Sequence, residues 1–408
     1  MKQSSITTQL VFGLTLAGCI SAMSNAAFAQ KRYDPGASDR EIKIGNTGPY
    51  SGPGSAYSVV AKTQDAYFKM INDKGGINGR LINFISYDDA FSPPKTVEQT
   101  RKLVENDEVL FVMGGIGTAA NTAIHKYMNQ KKVPHVFIAS GADKWSDPEN
   151  FPWSIGFLPS YRGEARIYAK YILSNYPDAK IGVLFQNDDF GKDYIVGFKE
   201  GLGQKAASMI VAELPFEVSS PTIDSQIIQI KSANPNVFIN IATAKFAAQG
   251  IKKAAELGWN VPHIIPQVST SIGAVLQPAG LENAQGVLSS VYLKDPVDSK
   301  WKSDPAMLEW NDFMTKYLPA SDRSDNLYVY AYAMTQAVVQ ALKQSGDDLT
   351  RENVMKQIAN LDMEIGVLLP GIRIKTGPKD YRPLEQLQMM RFKKDAWETF
   401  GTVLSSEN

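Results

Sequence analysis

The sequence predicts an α/β fold of two doubly wound lobes, and three observations carry that prediction. Strand-like and helix-like stretches alternate along most of the 408 residues. Several of the strand-like runs are continuously apolar, as strands covered by helices on both faces are. The alternation also halts once, at a stretch with neither period, and then starts afresh.

The elements follow in order. "EIKIGN" from Glu41 reads as a strand, and Val60, Thr63, Tyr67, Met70 and Ile71 make one helical face that Gly75 and Gly76 end. "LINFISYDD" is the next strand. "SPPKTVEQTRKLVEND" is a helix with Ser92 at its cap and proline in its first turn. "VLFVMGG" is a buried strand, a helix runs from Thr118 to Lys131, and "PHVFIAS" is a fourth strand. After "FPWSIGFLPSYRG", Phe151 to Gly163, a helix carries Ile167, Tyr171 and Ile172. The strands "KIGVLFQND", "SMIVAELPF", "NVFINIA" and "HIIPQ" then alternate with helices from near Gly191, over "TIDSQIIQIKSAN" and over "FAAQGIKKAAELG". Phe151–Gly163 and Gly286–Pro296 read as crossings between lobes. A helix over "DNLYVYAYAMTQAVVQAL" and a strand-rich tail after Gly366 complete the chain.

The first 29 residues read as a leader. Lys2 gives a positive start, Leu10 to Met23 is apolar or small, and "AFAQ" offers a cut after Ala29. A competing pattern, "LAGC", would make Cys19 a lipid-bearing N-terminus. Cys19 is the only cysteine, so cleavage after Ala29 leaves a chain without disulfides, which suits a periplasm and a large core. The chain has 42 basic and 42 acidic residues, a balance that gives no reason to expect nucleic acid or an anionic membrane surface.

In open parallel sheets, ligands sit beyond the carboxyl ends of the strands. The loops there are "GNTGPYSGPGSAY", "GGIGTAAN", "IASGADKW", "FQNDDFGKDY", "IATAKF" and "PQVSTS". They are rich in small residues, and helix N-termini add partial positive charge, so the rim favours a carboxylate. Gly115, Gly117 and Ala120 fit a dinucleotide fingerprint but follow the third strand rather than the first. Catalytic constellations are weak. His125, His135 and His263 are not at metal spacing, no G-x-S-x-G turn is present, and Asp88–Asp89 and Asp188–Asp189 read as caps and polar contacts. The reading is therefore a binding protein, not an enzyme, with no cofactor and no metal. An exported hydrolase is the rival that the missing triad disfavours.

"EIKIGNTGPYSGPGSAY", "DKGGINGRLINFISYDDAFSPPKTVEQTRKLVENDEV" and "NDDFGKDY" resemble periplasmic substrate-binding proteins of the branched-chain amino acid type, the receptors of ABC importers. The resemblance covers nearly all of the chain after Arg40. It implies a type I periplasmic binding protein fold: two Rossmann-like doubly wound lobes, a three-strand hinge and closure on a small ligand. It divides the chain into a leader (1–29), a first lobe (40–157 and 288–365) and a second lobe (158–287 and 366–408). It also implies a membrane permease as partner, a periplasmic location and a monomer.

Carried over residue by residue, the resemblance places a ligand carboxylate against Gly117 and Thr118 and against Ala139, Ser140 and Gly141. Tyr57 and Phe190 supply rings, and Tyr328 is taken as the residue reaching the cleft from the late helix. In amino-acid binders an acid after "HIIPQ" meets the ligand ammonium, assisted by a tyrosine. Those positions fall on Val268 and Ala244 here. The chain also resembles a branch that binds aromatic or aliphatic acids. The expected ligand is thus a small carboxylate, an aromatic acid, with a branched-chain amino acid or a sensing role as the alternatives.

Overall fold

Two sheets organise the computed structural model, which describes residues 31–407. The leader read over residues 1–29, its cleavage point and Cys19 lie outside the described residues. The first sheet is wholly parallel, in the order Leu81–Asp88, Glu41–Gly48, Phe111–Met113, His135–Ile138, Ser154–Gly156. The second has the order Ala396–Ser405, Gln386–Lys393, Leu288–Val291, His263–Ile264, Val237–Ile241, Ile181–Gln186, Ile210–Phe216. Its last two strands along the chain join antiparallel, and the other pairings are parallel.

The apolar runs earn their places by burial. Phe111, Val112 and Met113, and likewise Val237 to Ile241, are inaccessible because helices cover both faces. The Ser58–Asp73 helix turns Val60, Ala61, Tyr67 and Phe68 inward. It ends where Gly76, at φ 79°, donates its N–H to the Ile71 carbonyl at 3.0 Å.

The long helix Leu327–Ser345 belongs to the first lobe. Gln64 donates to the Met334 sulfur at 3.2 Å, and Tyr332 packs edge-on against Tyr67 with ring centres 5.0 Å apart. The Arg351 guanidinium, at the start of Arg351–Ile358, donates to the carbonyls of Leu110 and Val109. Helix Pro305–Tyr317 adds Phe313 to the same packing.

The chain crosses between lobes after Phe157, after Val291 and ahead of Gln386. The second crossing is braced by a neighbouring loop: Leu369 donates to the Tyr292 carbonyl and Lys294 to that of Val367, both at 2.9 Å. The crossings are shorter than the sequence suggests. Phe151–Gly163 contains the edge strand Ser154–Gly156, and Gly286–Pro296 contains Leu288–Val291, fully inside the second sheet. The tail after Gly366 stays with the first lobe at first, where the Tyr381 hydroxyl donates to the Pro152 carbonyl at 3.0 Å. It reaches the second sheet only at Gln386. Among the described residues no helix is long and apolar enough to cross a membrane.

Candidate functional site

The carboxyl ends of the two sheets meet around a cavity that encloses about 70 Å³ open to the centre of a water-sized sphere. One water needs roughly 10–15 Å³ on that measure, so the space suits a small organic molecule. Rings dominate the wall: Tyr57 and Phe91 from the first lobe, Tyr161 and Phe190 from the second, Tyr292 from the second crossing and Tyr330 from the late helix. Val60, Ile116, Ala139, Leu158, Val268, Leu293 and Leu327 fill between them, and the polar members are Thr118, Gln186, Thr243, Gln267 and Asn326. Among the described residues no Asp, Glu, Lys, Arg or His lines the cavity.

Each wall residue is held by a local device. Gly117, at φ 93°, precedes the Thr118–Lys131 helix, and a Cβ there would lie 2.6 Å from the Phe91 ring. Only glycine lets the helix start come this close. Phe91 and Ala90 both sit at positive φ, 56° and 51°. Asp88 and Asp89 hold that strained pair by accepting the N–H groups of Ala90 and Phe91 at 2.9 Å each. Asp188 accepts the N–H groups of Phe190 and Gly191, which fixes Phe190 in the first turn of Asp189–Leu202. Both carboxylate pairs are thus structural.

Thr118 is 3 % exposed, and its Oγ1 lies 2.7 Å from the hydroxyl of Ser140. Ser140 already accepts from Trp145 Nε1 at 2.9 Å and from the Ala142 N–H at 3.3 Å. A hydroxyl has two lone pairs, so Ser140 donates its proton to Thr118 and leaves the Thr118 proton for the cavity. The first-turn N–H groups of this helix lack intrahelical partners and add to the pull on an anion.

The lobes touch across the cavity. The Tyr57 hydroxyl accepts the Ala244 N–H at 2.9 Å and donates to the Val268 carbonyl at 3.2 Å. Burial pushes its pKa up to about 12. Lys144 meets Asp189 at 2.5 Å, and Asn326 donates to the Thr270 hydroxyl at 2.9 Å. These contacts join elements of both lobes, so the molecule is in a closed arrangement.

Of the residues singled out from the sequence, Tyr57, Gly117, Thr118, Ala139, Phe190 and Val268 line the cavity, and Ser140, Gly141, Ala244 and Tyr328 do not. Ser140 is wholly buried behind Thr118, which it orients. Gly141 lies under Tyr161; its carbonyl accepts the Tyr161 N–H at 2.8 Å, and a Cβ would meet that ring at 2.8 Å. Ala244 spends its N–H on Tyr57. Tyr328 stays off the wall, and Tyr330, two positions on, lines it. Asn326, Leu327 and Tyr330 share one helical face, and a residue one position past Leu327 turns about 100° away.

Sequence reasoning missed Phe91, Tyr161, Gln186, Gln267, Tyr292 and Asn326. Phe91 had a signal, because two aspartates before it promise a side-chain-held turn. Among the described residues no acid on the cavity wall takes the part that amino-acid binders give to the Val268 position. Glu282 lies in a separate surface groove with Trp259 and Arg391. Behind the wall, besides Asp188 and Asp89, stands Glu164. Its carboxylate accepts the Gln267 N–H at 2.8 Å, the Tyr194 hydroxyl at 2.7 Å and the Tyr168 hydroxyl. Burial raises its pKa to about 7 despite those donors. The histidines are buried and structural: Asn121 Oδ1 meets His135 Nε2 at 2.8 Å, and His125 stacks on Phe151. Among the described residues no cluster of acids, histidines or cysteines could hold a metal.

Two hinged lobes closed over a cavity of this kind define a solute-binding protein of the type I periplasmic fold. The sequence profile of the family described as periplasmic binding protein matches residues 41–396, and the chain belongs to that family. A Leu/Ile/Val-binding protein homolog 1 of Brucella suis biovar 1 is 24 % identical over 317 residues, which are 76 % of this chain and 81 % of that protein. The solved structure of a branched chain amino acid ABC transporter from Thermus thermophilus with bound valine superposes with a TM-score of 0.79 at 17 % identity, covering 90 % of this chain and 97 % of that one. A fatty acid ABC transporter substrate-binding protein from Thermomonospora curvata superposes with a TM-score of 0.77 at 18 % identity, covering 93 % and 96 %. At those identities the two structures speak for the fold. Family and fold are those of binding proteins, not enzymes.

Proposed function

We propose that the protein, once freed of its leader by cleavage after Ala29, captures a small carboxylate, an aromatic acid, between its lobes and presents it to the membrane permease of an ABC importer. The single observation that carries this reading is a wall rich in rings and free of charged side chains. An α-ammonium lodged there would lose its hydration and meet no carboxylate, at a cost of several kcal/mol. A carboxylate fares better, because the Thr118 hydroxyl and the helix start behind it offer donors. An aromatic ring gains from burial and from each aromatic partner, about 0.5–1.5 kcal/mol per pair beyond area. The fold relatives include one with bound valine and one named for fatty acids, so the architecture is compatible with ligands that carry an ammonium and with ligands that do not.

Titration calorimetry tests the reading with benzoate, phenylacetate and cinnamate against leucine, isoleucine and valine. The aromatic acids are expected to bind at least about tenfold, or 1.4 kcal/mol, more tightly. Val268→Glu should reverse the order by adding an acid to the wall. Tight leucine binding by the unaltered protein, with no response to any aromatic acid, would overturn the aromatic assignment.

A further inference from the structure

Most polar side chains on the cavity wall already have protein partners. Gln186 donates to Asp188 at 2.6 Å and accepts from Thr243 at 2.8 Å, Asn326 is tied to Thr270, and Thr118 to Ser140. Two groups differ. The hydroxyl of Tyr330, a residue 5 % exposed, has no hydrogen-bond partner in the protein, and neither has Nε2 of Gln267. Both residues line the cavity. A buried polar group left unpaired is costly, and both atoms are sealed from water already, so a ligand oxygen that reached them would relieve that cost.

Both are also firmly placed. Tyr330 packs against Phe157 with ring centres 5.9 Å apart, one helical turn from the tethered Asn326. Gln267 is anchored through its backbone, whose N–H goes to Glu164 and whose carbonyl accepts the Thr270 hydroxyl at 2.9 Å. Its side chain can therefore be changed without loosening the wall.

We propose that the ligand bears, besides its carboxylate, a second oxygen, a hydroxyl or a carbonyl, that pairs with Tyr330 and Gln267. This rests on the carboxylate reading above and narrows it to oxygenated acids. A tyrosine hydroxyl both donates and accepts and an amide N–H donates, so the pair suits an oxygen with lone pairs. Sites that offer hydrogen bonds to a substrate oxygen reject the analogue lacking it far more strongly than apolar pockets reject a missing methylene.

Calorimetry on matched acids tests this: benzoate against its three ring-hydroxylated isomers, and phenylacetate against its ring-hydroxylated and 2-oxo forms. In each series one oxygenated member should bind at least about tenfold tighter than its parent. Tyr330→Phe and Gln267→Met should each erode that advantage, lowering affinity for the oxygenated acid by a clearly larger factor than for its parent. Parents that bind with no gain from the added oxygen overturn this proposal and spare the carboxylate reading. Equal loss for parent and oxygenated acid in the variants puts the carboxylate itself at Tyr330 and Gln267, which also overturns it. Binding of none of these acids overturns both.

Discussion

The Tyr57 hydroxyl reaches across the cavity to the Ala244 N–H, 2.9 Å away, and the same oxygen donates to the Val268 carbonyl. One side chain of the first lobe thereby joins the two positions at which ammonium recognition was sought in the second. A phenol thus helps to hold the closed state at the positions where amino-acid binders carry an acid and a tyrosine.

Tyr57→Phe keeps the ring and removes both bonds. Closure should weaken by about 1–3 kcal/mol, the net worth of two ordinary hydrogen bonds. Small-angle scattering of the ligand-free variant should show a larger radius of gyration than the parent, with ligand affinity reduced. An unchanged radius together with unchanged affinity would deny the phenol a part in closure.

The Lys144–Asp189 contact joins the same two lobes but should matter less. The side chains are 34 % and 41 % exposed, and the lysine's hydrogen bond holds the Asp189 pKa below its ordinary value. Pairs this open contribute under about 1 kcal/mol and fade as salt rises. A double-mutant cycle with Lys144→Met and Asp189→Asn, read as ligand affinity at low and high salt, should return a small coupling that vanishes at high salt.

Thr118→Val removes the hydroxyl that Ser140 orients. Affinity for a carboxylate should drop by about 1.5–3 kcal/mol, the range for a hydrogen bond to a charged group, with the fold intact by circular dichroism. Undiminished affinity would reduce Thr118 to packing.

Glu164 predicts a pH dependence of stability. Its folded pKa, about 7, stands above the ordinary 4.5, because burial outweighs its three donors. Between those values the folded protein holds a proton that the unfolded chain has released. The contribution of Glu164 is thus full below about pH 4.5, is lost as pH rises to about 7, and is flat beyond. Glu164→Gln should remove that slope: parent and variant denaturant midpoints, compared at pH 5 and pH 7.5, should differ by unequal amounts. A constant difference would mean that Glu164 does not titrate in this window.

The sheets were legible because their strands are buried on both faces and so read as apolar runs, unbroken at Val109–Met113 and interrupted only by Asn240 in Val237–Ile241. Short strands were not: Ser154–Gly156 has too few residues to show a period and hides in what looks like a linker. The first-lobe wall was partly visible, since Gly117 and Thr118 sit where a β-α loop must place them. Tyr161, Tyr292 and Gln267 were not, because they reach the cavity only through the meeting of segments more than a hundred residues apart. Which of the alternating tyrosines lines the cavity was not legible, because helical phase is set by the packing of Tyr332 against Tyr67 and Phe313.

The second sheet needs the last strands of the chain. Gln386–Lys393 pairs with Leu288–Val291, and Ala396–Ser405 closes the sheet outside it. Until those residues have left the ribosome, Leu288–Val291 is a bare edge of buried-type sequence. Pairings so distant along the chain form slowly, since the loop must close before the contact stabilises anything. The second lobe therefore completes its sheet only after the chain has gone back through the first lobe and returned, so the two lobes fold as interleaved pieces rather than one after the other.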